Sequence, residues 1–341
     1  MTFHDECGSK IDVALPKGDV HRQMEVFYNP IMKSNRSISI LLLNSIPNEK
    51  MRIADIMAGS GIRSIRFLRE LREGKIETLF VNDYKESFPK KFDGLLQLNT
   101  LEEKKDWVKV SSLEATQFLL SEGGFDYIEV DPFGTPNPFL AAAVARISRE
   151  GILAVTATDT AALSGTYPKV TQRKYWAKPL KNYMMHETGL RILIRKVQLQ
   201  GIQFEKAFVP ILAYHKDHYF RIYFRCEKGK EKCDAIVREL AYLLWCRKCL
   251  NHKTSNYNNE PNEPCCEKTM EYAGPLWTGA LGDEKLADEM IKNNLYPEEQ
   301  KFLELLRDEL KVKSVGFYDV HELARIMRID PPKLERVLTA V

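Results

Sequence analysis

Between residues 51 and 156 the chain alternates short apolar runs, each closed by a turn former or an acid, with longer stretches of helical spacing. Met51 to Ala58 reads as a first strand, and Gly59-Ser60-Gly61 as a tight turn opening a helix from Ile62 to Glu73. Thr78 to Val81 is a second strand ending at Asn82-Asp83, with a helical stretch running on to about Asn99. Trp107 to Val110 is a third strand, and Ser111-Ser112-Leu113-Glu114-Ala115 leads into another helix. A fourth strand ends on Asp131, an alanine-rich helix covers Ala141 to Ser148, and Gly151 to Thr156 is a fifth strand. Strands alternating with helices predict an α/β fold, a mostly parallel sheet with helices on both faces.

Leu190 to Leu199 reads as helix, and Phe208 to Tyr214 with His218 to Arg225 as an antiparallel pair. Past Glu227 the pattern changes to helix, cysteine-bearing loop and helices, so a boundary is expected near residue 228. Two domains are expected, a larger α/β domain, 1–227, and a smaller C-terminal α/β domain, 228–341. In the latter, Asp319 to Thr339 reads as two helices around Asp330-Pro331-Pro332, either a helix-turn-helix element or a plain helical hairpin.

A length of 341 residues fits two domains, and 44% hydrophobic with 28% charged residues is ordinary globular composition. No run approaches 18 uninterrupted apolar residues and the polar start Met1-Thr2-Phe3-His4-Asp5-Glu6 is no signal peptide, so a cytoplasmic protein with no membrane contact is expected. Seven scattered cysteines do not form a secreted disulfide framework. The net charge of +3 announces no nucleic acid, but its distribution does more. From Thr160 to His186 there is no acid, while Lys169, Arg173, Lys174, Lys178 and Lys181 are interleaved with Tyr167, Tyr175, Trp176 and Tyr183. Basic residues mixed with aromatics suit a phosphate backbone with exposed bases; the plainer reading is a solvated loop.

The candidate chemistry sits where the fourth strand stops, at Asp131-Pro132-Phe133-Gly134-Thr135-Pro136. Open α/β sheets bind ligands at the carboxyl ends of their strands. A carboxylate there can accept one N–H of an exocyclic amine while a following main-chain carbonyl, such as that of Pro132, accepts the other. Phe133 can stack on the base that carries the amine, for about 1–3 kcal/mol. Taken alone, Asp-Pro is equally a turn. Asp55 to Gly61 adds a glycine turn at the end of the first strand, where Gly59 and Gly61 allow close approach of a ligand to the backbone. Ser64 stands where a dinucleotide fingerprint needs its third glycine, so a pyrophosphate is not indicated. Asp83 ends the second strand 22 residues after Gly61, an offset that suits ribose hydroxyls.

With these motifs in this order the chain resembles a class I S-adenosylmethionine-dependent methyltransferase, Rossmann-like in fold, and more narrowly the tRNA (guanine26-N2)-dimethyltransferase family of archaea and eukaryotes. The resemblance also rests on Val26 to Arg36, on Gly61-Ile62-Arg63-Ser64-Ile65-Arg66, on Asp131 to Phe139 and on Tyr272-Ala273-Gly274-Pro275-Leu276-Trp277. It implies an enzyme that transfers one or two methyl groups from S-adenosyl-L-methionine to guanine N2 of tRNA; no obligate protein partner is indicated, and a monomer is expected. It further implies that Arg36 and Arg63 contact the methionine end of the cofactor, that Glu114 and Ala115 flank its adenine, and that Phe27, Phe133 and Phe139 wall the guanine pocket. Glu114 departs from the family's commoner Asp-Ala. Core packing is the alternative for Phe27 and Phe139, and an exposed surface position for both arginines. Two other readings compete: an amino methyltransferase of DNA adenine or protein glutamine, and an idle RNA-binding module that kept the fold.

Cys246-Arg247-Lys248-Cys249 followed by Pro264-Cys265-Cys266 points to a structural zinc site. Adjacent Cys265 and Cys266 reach one metal only through a strained loop, so His252 as a ligand, a three-cysteine site, or a metal-less packed loop stay open.

Overall fold

The alternation between residues 51 and 157 folds into the parallel part of a seven-stranded sheet. The computed structural model describes residues 3–13, 27–258, 266, 270–333 and 336. In chain order, a hairpin β1 (Phe3–Glu6) and β2 (Ser9–Asp12) precedes helix α1 (Lys33–Ser45), and β3 (Met51–Asp55), α2 (Ile62–Glu70), β4 (Ile76–Asn82), α3 (Phe88–Leu98), β5 (Val108–Ser111) and α4 (Ala115–Ser121) follow. Next come β6 (Phe125–Val130), α5 (Asn137–Arg146), β7 (Ile147–Ala157), α6 (Thr160–Leu163), α7 (Pro168–Tyr175) and α8 (Met185–Ile202). The antiparallel pair β8 (Lys206–Lys216) and β9 (Tyr219–Lys228) closes this half. The order across the sheet is β5-β4-β3-β6-β7-β9-β8, with β9 alone running against the other six. The chain therefore reverses direction across the sheet between β3 and β6, the switch point at which such sheets open a ligand crevice.

Period-two alternation sorts the strands' side chains onto two faces. Ala54, Phe80, Ile128 and Val155 join a core with α4, α5 and α8. Their neighbours Ile53, Val81, Tyr127 and Ala154 pack against α1, α2 and α3 on the other face. Glu129 and Asp131 follow Tyr127 at alternate positions, so both carboxylates point to the α1 and α2 side. Prolines at the starts of α3, α5 and α7 fit their helices, since the first turn leaves N–H groups unpaired in any case.

Beyond residue 228 come α9 (Lys230–Arg238), a three-stranded antiparallel sheet of β10 (Leu240–Trp245), β11 (His252–Ser255) and β12 (Glu271–Trp277) in the order β11-β10-β12, and helices α10 (Glu284–Lys292), α11 (Gln300–Lys311) and α12 (Val320–Met327). The small sheet packs on α8 through Leu243, Ala273 and Leu276, and α10 and α11 pack on the α1 side through Met290 and Leu303. Arg191 of α8 ties this segment down by donating to the carbonyls of Trp277, Gly279 and Ser314. The expected pattern of helix, loop and helices thus missed three strands. The apolar run Leu240 to Trp245 has no periodicity that separates strand from helix. α12 is capped by the Asp319 side chain, and the second helix expected after it falls largely outside the described residues. Among the described residues no helix is long and apolar enough to cross a membrane.

Candidate active site

A cavity of about 700 Å³ opens at the carboxyl edge of β3, β4 and β6, within the size range of small-molecule sites. Its walls include Phe27, Arg36, Asp55, Gly59, Arg63, Asp83, Glu114, Ala115, Asp131, Pro132, Phe133 and Phe139, so the structure gathers nearly all of the expected site residues in one place.

One half is built by the loop after β3. Gly59 has a φ of +57°, and a Cβ there would lie 3.2 Å from the Phe27 carbonyl oxygen; Gly61, with a φ of +76°, is pressed against Leu95 and Phe92. Asp83 accepts the Gly59 N–H at 3.0 Å and the Lys85 N–H at 3.2 Å, locking the end of β4 to the glycine turn. The buried Asp55 accepts from the Ser64 hydroxyl at 2.8 Å. Burial pushes its pKa up to about 7, against the opposing pull of Arg63 and the Ser64 bond. Glu114 caps α4 by accepting the Gln117 N–H, which fixes the helix start beside Ala115.

The other half is the Asp131 loop. The Gly134 N–H donates to the Thr158 hydroxyl at 2.6 Å and the Thr158 N–H to the Gly134 carbonyl at 2.9 Å, so the turn after Asp131 is fixed to the end of β7. Phe133 is 44% exposed and meets Phe27 edge to face at 4.2 Å between centroids, leaving a ring surface toward the cavity. Phe139 both lines the cavity and packs on the core beneath. Asp131 Oδ2 accepts from Arg63 Nη2 at 2.5 Å. Burial works against the charge of Arg63, and Glu129 and Asp131 more than restore it.

The family profile for N2,N2-dimethylguanosine tRNA methyltransferase matches residues 8–341. The chain belongs to this family. A tRNA (guanine(26)-N(2)/guanine(27)-N(2))-dimethyltransferase of Aquifex aeolicus is 39% identical over 332 residues, covering 93% of this chain and 83% of the relative. A tRNA (guanine(26)-N(2))-dimethyltransferase of Methanobrevibacter smithii is 38% identical, covering 92% and 82%. The solved structure of Trm1 from Pyrococcus horikoshii with S-adenosyl-L-methionine superposes with a TM-score of 0.85 at 31% identity, covering 100% of this chain and 91% of the other. Membership in the dimethylguanosine methyltransferase family makes the chain an S-adenosylmethionine-dependent enzyme and goes against both competing readings.

In this member of the family neither Arg36 nor Arg63 is a surface arginine. Arg36 donates to Glu6 at 2.7 and 2.5 Å and to the Asn29 carbonyl at 3.1 Å, so one side of its guanidinium is filled by the N-terminal hairpin while the residue lines the cavity. Sequence reading missed Glu6, and it gave no role to Glu129, Arg221, Asn35 or Ser39, which lie beneath Asp131. A charged residue within a run as apolar as Tyr127-Ile128-Glu129-Val130, or Phe220-Arg221-Ile222-Tyr223, was the available signal.

Of the five basic residues expected to meet RNA, Lys169, Arg173 and Lys181 are exposed. Lys174 instead pairs with Asp159 at 3.0 Å, and Lys178 lies over the Tyr272 ring at 3.9 Å. The stretch abuts the active site: Tyr175 of α7 bonds Asp159 at 2.5 Å and approaches the Thr135 hydroxyl at 3.1 Å, and Thr135 lines the cavity. The ligand atoms of Cys246, Cys249 and Cys266 lie within 4.8 Å of one another, while Cys265 lies outside the described residues. His252 does not join that cluster.

Proposed function

We propose that this chain methylates the exocyclic N2 of guanine 26 in tRNA, adding one or two methyl groups. The observation that carries the reading is the single cavity in which the Asp131 carboxylate and the Phe27 and Phe133 rings face the Gly59 and Asp83 half. The glycine turn that a Cβ would crowd, with the Asp83 carboxylate behind it, fits the nucleoside of S-adenosylmethionine: Asp83 for the ribose, Glu114 and Ala115 beside the adenine, Arg36 and Arg63 toward the methionine end. When bound, that molecule supplies a methyl on a sulfonium, which keeps the S–C electron pair and leaves as a neutral thioether.

The protein's own residues do the rest. Guanine N2 is conjugated with its ring, and its lone pair becomes nucleophilic as the amine pyramidalises. Asp131 and the Pro132 carbonyl favour that distortion by accepting the two N–H bonds. As the new C–N bond forms, Asp131 takes the departing proton. Phe27, Phe133 and Phe139 hold the base, and positioning supplies much of the acceleration. The nucleotide must turn out of the folded tRNA to enter, at an unstacking cost of a few kcal/mol. The same reading keeps the enzyme monomeric and in the cytoplasm with its tRNA.

Mass analysis of nucleosides after incubation of tRNA with labelled cofactor tests the reading; label absent from N2-methylated guanosines would sink it. The Aquifex aeolicus relative also carries guanine 27 in its name, so transcripts altered at position 26 or at position 27 distinguish a one-site from a two-site enzyme.

Phosphate contacts are proposed for Lys169, Arg173 and Lys181, with Lys174 and Lys178 holding the surface that presents them; residues 228–341 form the second domain and supply further tRNA contacts. The triple variant Lys169→Ala, Arg173→Ala, Lys181→Ala is expected to bind all tRNAs more weakly, with a salt dependence shallower by about 0.7–0.9 per lost contact. Methylation then falls through KM while the modified position stays the same. Equal affinity and slope in filter binding would return the stretch to a solvated loop.

Zinc fits the cysteine cluster. Two thiolates on one tetrahedral zinc are about 3.8 Å apart, given Zn–S bonds of about 2.3 Å. The turn from Cys246 to Leu250, closed by the Leu250 N–H on the Cys246 carbonyl at 2.8 Å, presents the first two thiols. Elemental analysis of purified protein is expected to give about one zinc per chain, lost in Cys246→Ser. Protein purified without metal that melts identically with and without added zinc would contradict the site.

A further inference from the structure

We propose that Glu129 and Arg221 are positioning residues for the transfer: as a buried pair they fix Arg63, and Arg63 in turn fixes the rotamer of Asp131. The inference rests on the reading of Asp131 as acceptor of the guanine amine.

The geometry is a chain of held groups. Arg63 enters from the first turn of α2 and its Nη2 donates to Asp131 Oδ2 at 2.5 Å and to Asn35 Oδ1 at 3.0 Å. Its Nη1 donates to Ser39 Oγ at 3.1 Å and faces Glu129 Oε2 at 3.4 Å. A planar guanidinium with four acceptors on two nitrogens has little freedom to swing. Glu129 is in turn fully buried and held from two strands. Arg221 Nη2 donates to its Oε2 at 2.8 Å, Arg221 Nη1 bonds its Oε1, and the Tyr127 hydroxyl donates to Oε2 at 2.6 Å. Arg221 reaches over β7 from β9, and on the way its Nη1 donates to Thr156 Oγ1 at 2.8 Å and its Nη2 to Ser39 Oγ at 3.0 Å. Ser39 therefore touches both guanidiniums.

Packing does not require this arrangement. A buried ion pair gives a core no more stability than well-fitted apolar side chains of similar volume. What two arginines and two carboxylates give, and an apolar pair cannot, is direction. With Oδ2 of Asp131 occupied by Arg63, the other oxygen is left to meet the amine, in one orientation. An error of about 1 Å in such a group costs about 10²-fold in rate. Glu129 and Asp131 stand at alternate positions of one strand end, so a shift of the pair is passed to the catalytic carboxylate through the single guanidinium between them.

The test compares Glu129→Gln, Arg221→Met and the double variant E129Q/R221M in steady-state methyl transfer to tRNA and in thermal unfolding. E129Q is expected to lower kcat about tenfold or more with KM for tRNA changed by less than about threefold. Each single variant leaves one buried charge unmatched and melts earlier; the double variant, with none unmatched, regains the wild-type midpoint while its kcat stays low. If E129Q does not fold at the assay temperature, the double variant carries the comparison. Recovery of kcat together with the midpoint in the double variant, or wild-type kcat in E129Q, would reduce the pair to a structural one and overturn the inference. A wild type that transfers no methyl to guanine N2 overturns the underlying reading as well, whereas an active wild type with unaffected variants overturns this inference alone.

Discussion

Replacing Asp131 by alanine is expected to lower methyl-transfer turnover by about 10²-fold or more, the size usual for lost proton handling and orientation. The residue sits where β6 ends and Pro132 forbids its continuation, with its side chain 19% exposed at the cavity wall. Cofactor affinity should change much less, because the Gly59 turn and Asp83 are held to each other and Arg63 keeps Asn35, Ser39 and Glu129 when Asp131 is removed. Asp131→Asn separates the two roles of the carboxylate. An amide oxygen can still accept one N–H of guanine, but the group no longer takes up a proton or carries charge opposite Arg63. Turnover close to that of the alanine variant would assign the loss to the proton and the charge; turnover close to wild type would leave only the hydrogen bond. Single-turnover assays at saturating tRNA measure both, and near-native rates in the alanine variant would remove Asp131 from the mechanism.

The parts of this site that were legible in the sequence are those that one strand end encodes by itself. Asp83 and Asp131 close apolar runs, and an acid at such a position is visible without its partners. The glycine turn is visible for the same local reason. Partners are another matter: Arg36 finds Glu6 across 30 residues and Arg221 finds Glu129 across 92. Nothing local in the sequence pairs them. The hairpin that carries Glu6 was missed because His4-Asp5-Glu6-Cys7-Gly8-Ser9-Lys10 shows no alternation of its own. Its place is set from outside, by the Asn99 side chain bridging the Lys10 backbone at 2.8 Å in both directions and by Glu6 itself. Tertiary contact likewise decides Leu240 to Trp245, an apolar run that becomes the central strand of its sheet because β11 and β12 pair with both its edges. The first strand stops at Asp55, short of Ala58, since the Ala58 N–H turns aside to the Asn82 carbonyl.

Glu6 also yields the largest expected effect on stability. Its carboxylate accepts from Arg36 Nε at 2.7 Å, from Arg66 Nη1 at 2.9 Å and from the Tyr28 hydroxyl at 2.9 Å, almost wholly out of water. Burial pushes its pKa up, and the two guanidiniums outweigh burial and bring it down to about 2. Removing one member of such a buried pair costs about 3–5 kcal/mol, because the charge left behind is uncompensated. Glu6→Ala should fall toward the lower end, since Arg66 keeps Glu70 at 2.6 Å. The sign with pH follows from a carboxyl whose folded pKa lies below its unfolded one. Its contribution is complete above the ordinary glutamate range and fades as pH falls through about 2. The stability gap between wild type and variant should therefore be widest near neutrality and narrow steadily in acid. Activity should suffer too, because Arg36 passes the anchor on to the Asn29 carbonyl and so to the segment that carries Phe27 to the base pocket. Denaturant unfolding of both proteins across acidic pH checks the assignment. A gap that stays constant from neutrality into strong acid would mean that Glu6 stabilises the hairpin by its packing and not by its charge.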